Sequence, residues 1–272
     1  MLTLTQLAQT PARGMDPTNW PLFVCVLGGF RVLRAGQPCA GLSGGKAETL
    51  LGLLALRYDV RVPRDTLLAG LWPDTDPVLA RQSLNSLVYS LHKQLGGALG
   101  GAPPIEYADG YSWLNVAAGV GVDLACYEAL VGQGDRHRSA NDRPAALTAY
   151  QQAVQLYRGD LWSGPDLHAV MERERLRATY LTLLARLADQ YYAGQQYDAC
   201  LDCCGRLLAS DPCREDAHRL VMRCHVHQGE RAQALRQYRV CADVLCAEFA
   251  AAPEPATAAL YEQIRCDPAG VP

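Results

Sequence analysis

The 272-residue chain has no apolar run near the roughly eighteen residues needed to span a bilayer. Its first twenty residues, MLTLTQLAQTPARGMDPTNW, lack the basic start and long apolar stretch of a signal peptide. We expect a cytoplasmic protein with residues 1–19 as a flexible tail and no membrane partner. There is no excess of positive charge either, since the net charge is −3. Residues 20–115 hold eight Lys+Arg against seven Asp+Glu, or +1, and residues 121–272 hold sixteen against twenty, or −4. A global basic field for nucleic acid is excluded, but a local patch is not. The eleven cysteines are odd in number and accompany no secretion signal, which argues against a disulfide framework.

A phosphate loop is also missing, although GLSGGKAET suggests one. The pattern G-x-x-x-x-G-K-[ST] would need glycine at Ala40 and a hydroxyl at Ala47. The stretch reads instead as a helix start, with Ser43 as its cap and Leu50, Leu51, Leu53, Leu54 and Leu56 as a broad apolar face. Cys200-x-x-Cys203-Cys204, with Cys213, His218, Cys224, His225 and His227 downstream, fits no standard zinc spacing. Glu172, Glu174, Arg173, Arg175 and Arg177 read as a salt-bridged helix face. No nucleophile and base stand out, so we expect no enzyme, metal or cofactor.

Two halves with different patterns remain. In the first, Leu22–Leu27 and Phe30–Leu33 read as short strands, with a further short segment after the turn at Ala35–Pro38. Three helical stretches follow, from Ser43 to Arg57, after Pro63, and from Pro77 to Gly96. The third has an apolar stripe of Leu84, Leu87, Val88, Leu91 and Leu95. Opposite it lie Arg81, Gln82, Asn85, Ser86, Tyr89 and Lys93, side chains that suit phosphates and base edges. Residues 104–107 and 111–114 flank Asp109-Gly110 as a hairpin. Strands, three helices and a hairpin make a winged helix-turn-helix.

The second half is helical and repetitive. Ala146–Tyr150 resembles Ala234–Tyr238, and Gly194–Ala199 lines up with Gly229–Ala234 at an offset of 35, close to the tetratricopeptide period. Asp211-Pro212 is expected to open a new helix. Stacked helix pairs of this kind form a concave face, with Tyr191, Tyr192 and Tyr238 as aromatic candidates for an effector. The fold class is therefore mainly α, with an α+β N-terminal part followed by an all-α, tetratricopeptide-like domain.

Several ordered blocks resemble one bacterial family. They are FRVLRAGQP, LSGGKAETLLGLLAL, RVPRDTLLAGLWPD, ARQSLNSLVYSLHKQLGG and DGYSWLN, then VDLACYEALV, LYRGDL, MERERLRATYLTLLARLA and REDAHRLVMRCHVHQGERAQALRQYRVCADVLCAEF. The chain resembles antibiotic-regulatory (SARP) transcriptional activators, with an OmpR/PhoB-like winged helix followed by a bacterial transcriptional activator domain. The resemblance implies a DNA-binding domain at 20–117 and an activator domain at 121–268. It implies double-stranded promoter DNA, RNA polymerase and a second copy of the chain as partners, and leaves a small-molecule effector open. The DNA-contacting set it implies is Lys46, Arg64, Arg81, Gln82, Asn85, Ser86, Tyr89, Lys93, Asp109, Gly110 and Tyr111. Trp72, Pro73, Asp74, Thr75 and Asp76 match the polymerase-contacting loop. Ser90 and His92 stand where the family often carries basic residues, so fewer phosphates are neutralised. The rival reading is a repeat-domain adaptor or effector sensor with weak or lost DNA binding.

Overall fold

The structure, a computed structural model, describes residues 16–162 and 167–270. The expected tail lies almost wholly outside them, as does part of the LYRGDLWSGPDL segment. By their contacts the residues divide into two compact units, with the boundary between Arg177 and Ala178.

The first unit opens with β1 (Leu22–Cys25), β2 (Arg31–Arg34) and β3 (Gln37–Pro38). β1 is buried along its whole length because it is the inner strand of a sheet ordered β3-β2-β1-β7. β7 (Val120–Val122) runs parallel to β1, pairing Leu22 with Val120 and Val24 with Val122. A parallel pair requires a crossover, and here the crossover carries the three helices and the hairpin. These are α1 (Gly45–Ala55), β4 (Val62–Pro63), α2 (Arg64–Leu71), α3 (Pro77–Leu95), β5 (Ile105–Ala108) and β6 (Tyr111–Leu114). The segment from β1 to β7 is therefore a winged helix-turn-helix whose ends return to one sheet.

The sequence expectations need local correction. Ser43 does not cap α1; the cap residue is Gly44, and Glu48 in the first turn reaches back to accept from its N–H. A carboxylate there also suits the positive end of the helix. α1 stops at Ala55 rather than Arg57. Glu48 has a second partner, accepting from Trp162 Nε1 at 2.7 Å. A Cβ on Gly52 would stand 2.5 Å from the Trp162 ring, so the glycine inside the LLGLLAL run makes room for that indole. Trp162 N–H donates to the Val26 carbonyl at 2.7 Å, bringing this segment back beside the sheet.

After β7 come α4 (Asp123–Ser139), α5 (Arg143–Leu156) and α6 (Leu167–Ala193). The second unit continues with α7 (Tyr197–Ser210), α8 (Glu215–His227), α9 (Arg231–Phe249) and α10 (Pro255–Cys266). α8 begins at Glu215, not at Asp211-Pro212, because Asp211 closes α7 in an extended conformation. The turns after α4, α6 and α8 are the same. Each places one left-handed residue just past the helix, at Asn141, Gln195 and Gly229. In each, the following N–H bonds five residues back, Asp142 to His137, Gln196 to Tyr191 and Glu230 to His225. This is the Schellman turn. The spacing from Gln195 to Gly229 is 229 − 195, or 34, so the offset of 35 was one residue too long. Matching Gly194 with Gly229 misled it, because glutamine holds the left-handed position in the earlier turn. Five residues past each turn stand Ala146, Cys200 and Ala234, all buried. A small side chain there lets paired helices approach, which is a packing reason for Cys200.

One buried carboxylate joins the sheet to the helices. Asp123, 3% exposed at the start of α4, accepts from the N–H groups of Val26, Leu27 and Leu124 at 2.8–3.0 Å. Burial pushes its carboxyl up to about 6, against the opposing pull of those three donors. A carboxyl that holds its proton more tightly when folded contributes stability below the unfolded value, lost as pH rises through about 6. The stability of the wild type relative to Asp123→Asn should therefore fall between pH 4 and pH 7, by about 3 kcal/mol at most. Urea titrations across that range check it, and a flat or opposite trend would contradict the assignment.

Candidate nucleic-acid interface

α3 is the element on which the candidate residues converge. Asp76 caps it, accepting from Val78 N–H at 2.9 Å and Leu79 N–H at 3.3 Å, with Pro77 as its first residue. Ala80, Leu84, Leu91 and Leu95 are buried, while Leu87 and Val88 of the expected stripe are only half-buried. The opposite face exposes Arg81, Gln82, Asn85, Ser86, Tyr89 and Lys93 together, as the helical spacing requires. Tyr89 is 73% exposed, which is unusual for a side chain with so much apolar surface. Ser86 Oγ donates to the Gln82 carbonyl at 3.1 Å. Arg81 stands 4.0 Å from Asp65, an exposed and weak pairing.

The hairpin lies next to this face. Asp109 and Gly110 both adopt positive φ, 52° and 84°, which a two-residue turn of the primed type needs and which Asp-Gly supplies. β4, unanticipated because it is two residues long, pairs with β6 through Val62–Ser112 and Pro63–Tyr111. This register sets Arg61 beside Trp113, and its guanidinium lies 4.2 Å from the ring centre. Arg61 and Tyr107 were missed in the sequence, because β4 is too short to show a pattern and their ring and guanidinium partners come from other elements.

Arg64 connects all three parts. Its backbone N–H donates to the Gly110 carbonyl at 2.9 Å, fixing the hairpin turn to the start of α2. Its Nη2 donates to Asn85 Oδ1 at 2.6 Å and to the Arg81 carbonyl at 3.1 Å. Its guanidinium also lies 5.5 Å from the centre of the Tyr107 ring. Lys46 has an internal partner as well. Its ammonium donates to the Leu71 carbonyl, at the negative end of α2, and lies over the Trp72 ring. Trp72 is half-buried, and Pro73, Asp74, Thr75 and Asp76 are exposed between α2 and α3. His92 turns a ring nitrogen toward the Gly101 carbonyl at 3.1 Å, and Ser90 is exposed.

The remaining candidates sit in helix packing. Cys200, Cys204 and Cys224 are all buried. Burial pushes the thiols of Cys203 and Cys241 up to about 11, which disfavours the thiolate that metals and oxidants require. Among the described residues, no three His, Cys, Asp or Glu side chains converge as metal ligands. Tyr238 stacks on Tyr261 at 4.1 Å against a core of Met222, Ala234, Leu260 and Ile264. Tyr192 donates to or accepts from His227 at 2.9 Å, and His227 lies flat on Tyr197. In the first unit, a cavity of about 350 Å³ is lined by Arg57, Tyr58, Glu128, Glu172 and Arg175. Within it Arg175 pairs with both glutamates and Tyr58 donates to Glu128. Among the described residues no helix is long and apolar enough to cross a membrane.

Residues 122–265 match the bacterial transcriptional activator domain. The chain is 28% identical over 247 residues to the regulatory protein AfsR of Streptomyces coelicolor, covering 90% of this chain and 24% of that protein. It is 27% identical over 243 residues to AfsR of Streptomyces griseus, covering 88% and 24%. It thus spans about a quarter of the length of these curated relatives. Mycobacterium tuberculosis EmbR, solved in complex with a low-affinity phosphopeptide, shares the fold at TM-score 0.67 and 23% identity, over 90% of this chain and 65% of that one. With the matched domain covering more than half its length, the chain belongs to the bacterial transcriptional activator domain family.

Proposed function

We propose that this chain binds promoter DNA sequence-specifically, with α3 in the major groove and the Asp109–Tyr111 turn against the adjacent minor groove. The observation that carries this reading is the exposed face of α3, where Arg81, Gln82, Asn85, Ser86, Tyr89 and Lys93 stand on one side of a helix whose other side is core. Arginine and lysine supply donors for phosphates and guanine edges, and the amides supply donors and acceptors for bases. The hairpin supports the reading because Arg64 holds its turn to the same surface.

Residues 20–117 would form the DNA-binding domain and 121–268 the activator domain, acting in the cytoplasm on the nucleoid. The supply of free cations on α3 is small, and Lys46 is engaged by the Leu71 carbonyl. Few neutralised phosphates mean modest affinity per copy. Binding as a dimer to repeated half-sites would make up the difference, since linked sites raise avidity without new contacts. The exposed Pro73–Asp76 loop beside α3 is the surface proposed to contact RNA polymerase.

Genomic fragments selected by the purified chain supply the target for two tests. The double variant Arg81→Ala, Asn85→Ala should lose specific binding in gel shifts while keeping the wild-type circular dichroism spectrum. Undiminished affinity would contradict the role of α3. Separately, Lys93→Ala should lower the slope of log K against log salt by about 1, the effect of one lost phosphate contact. An unchanged slope would remove Lys93 from the phosphate-contacting set.

A further inference from the structure

Asn85 stands in the middle of the exposed face of α3, but one end of its amide is already taken. Arg64 Nη2 donates to it at 2.6 Å. A guanidinium has only donors, so the atom turned toward Arg64 is the amide oxygen, and the NH₂ is the end left over. The bond is charge-assisted and short, which makes it strong for a side-chain pair. Arg64 is not free to move away. Its backbone is bound to Gly110, the same Nη2 holds the Arg81 carbonyl, and the guanidinium rests on Tyr107.

An asparagine that reads adenine uses both ends of the amide, oxygen to the N6 amino group and NH₂ to N7. Arg64 occupies one of the oxygen's two lone pairs and turns the oxygen toward itself, so the two-point contact is weakened and the NH₂ becomes the end that meets the base, where adenine N6 is another donor. Guanine presents two acceptors in the same groove, N7 and O6, and no donor.

We propose that Arg64 is a positioning residue that sets the base preference of Asn85, making it a donor-only reader that selects guanine over adenine. The inference rests on the proposal that α3 reads the major groove.

Selection from a randomised duplex library with the full chain tests it. Asn85→Ala locates the base read by residue 85, as the position whose preference disappears. At that position the wild type should favour guanine over adenine by roughly fivefold, the worth of one hydrogen bond. Arg64→Ala frees the oxygen and should move the preference to adenine. Arg64→Lys, which returns a donor, should restore guanine. Asn85→Asp keeps an oxygen for Arg64 but replaces the donors with an acceptor, and should move the preference to cytosine, whose N4 amino group donates. If Arg64→Ala fails to fold, judged by circular dichroism, Asn85→Asp decides alone. Wild-type selection of adenine at that position, or a motif unchanged by Arg64→Ala or Asn85→Asp, overturns the inference and leaves DNA reading intact. Enrichment of no sequence by folded wild type overturns both.

Discussion

The structure depends on a carboxylate that has almost no water. Asp123 follows β7 and begins α4, and it ties three backbone N–H groups to that junction. Two of them, at Val26 and Leu27, lie just past β1, where the chain would otherwise leave buried donors unpaired. The same junction aligns β7 beside β1 as a parallel strand, the pairing that closes the winged helix-turn-helix on its own sheet. An ionised group in that position is costly, and the upward push on its proton affinity reflects that cost. The three hydrogen bonds offset it.

Within the frame so closed, Arg64 organises the candidate interface. It touches the hairpin through its backbone and α3 through its side chain, so the turn and α3 are held in one arrangement. Preorganisation of this kind matters for a protein with few cations. Affinity that cannot come from many phosphates must come from contacts made without further ordering. Lys46 illustrates the same economy in reverse, because its charge stabilises the end of α2 inside the protein.

The three-helix order, the hairpin and the exposed face of α3 were legible because they follow from local pattern. Leucines at helical spacing mark a buried stripe, and Asp-Gly between strand-like residues marks a tight turn. What could not be read depends on partners distant in sequence. β4 and β7 have two and three residues, too few to show alternation, and exist because β6 and β1 pair with them. Glu48 in place of Ser43 as the capping side chain reflects a choice between two nearby groups, settled where Trp162 also needs an acceptor. The 34-residue spacing between the last two turns was hidden because the left-handed position is filled by Gln195 in one and by Gly229 in the other. Arg64 looked like any cation near a helix start; its engagement with Asn85 is a tertiary contact across 21 residues of sequence.

The activator-domain match and the winged helix together describe a regulator in which one surface is chemically suited to duplex DNA. If DNA is bound as proposed, the exposed face of α3 enters the major groove. Methylation interference on the selected DNA tests it most directly, because dimethyl sulfate modifies guanine N7 in the major groove and adenine N3 in the minor groove. N7 methylation at guanines within the selected site should prevent binding. Full binding to DNA methylated at every guanine N7, with interference confined to adenine N3, would contradict it.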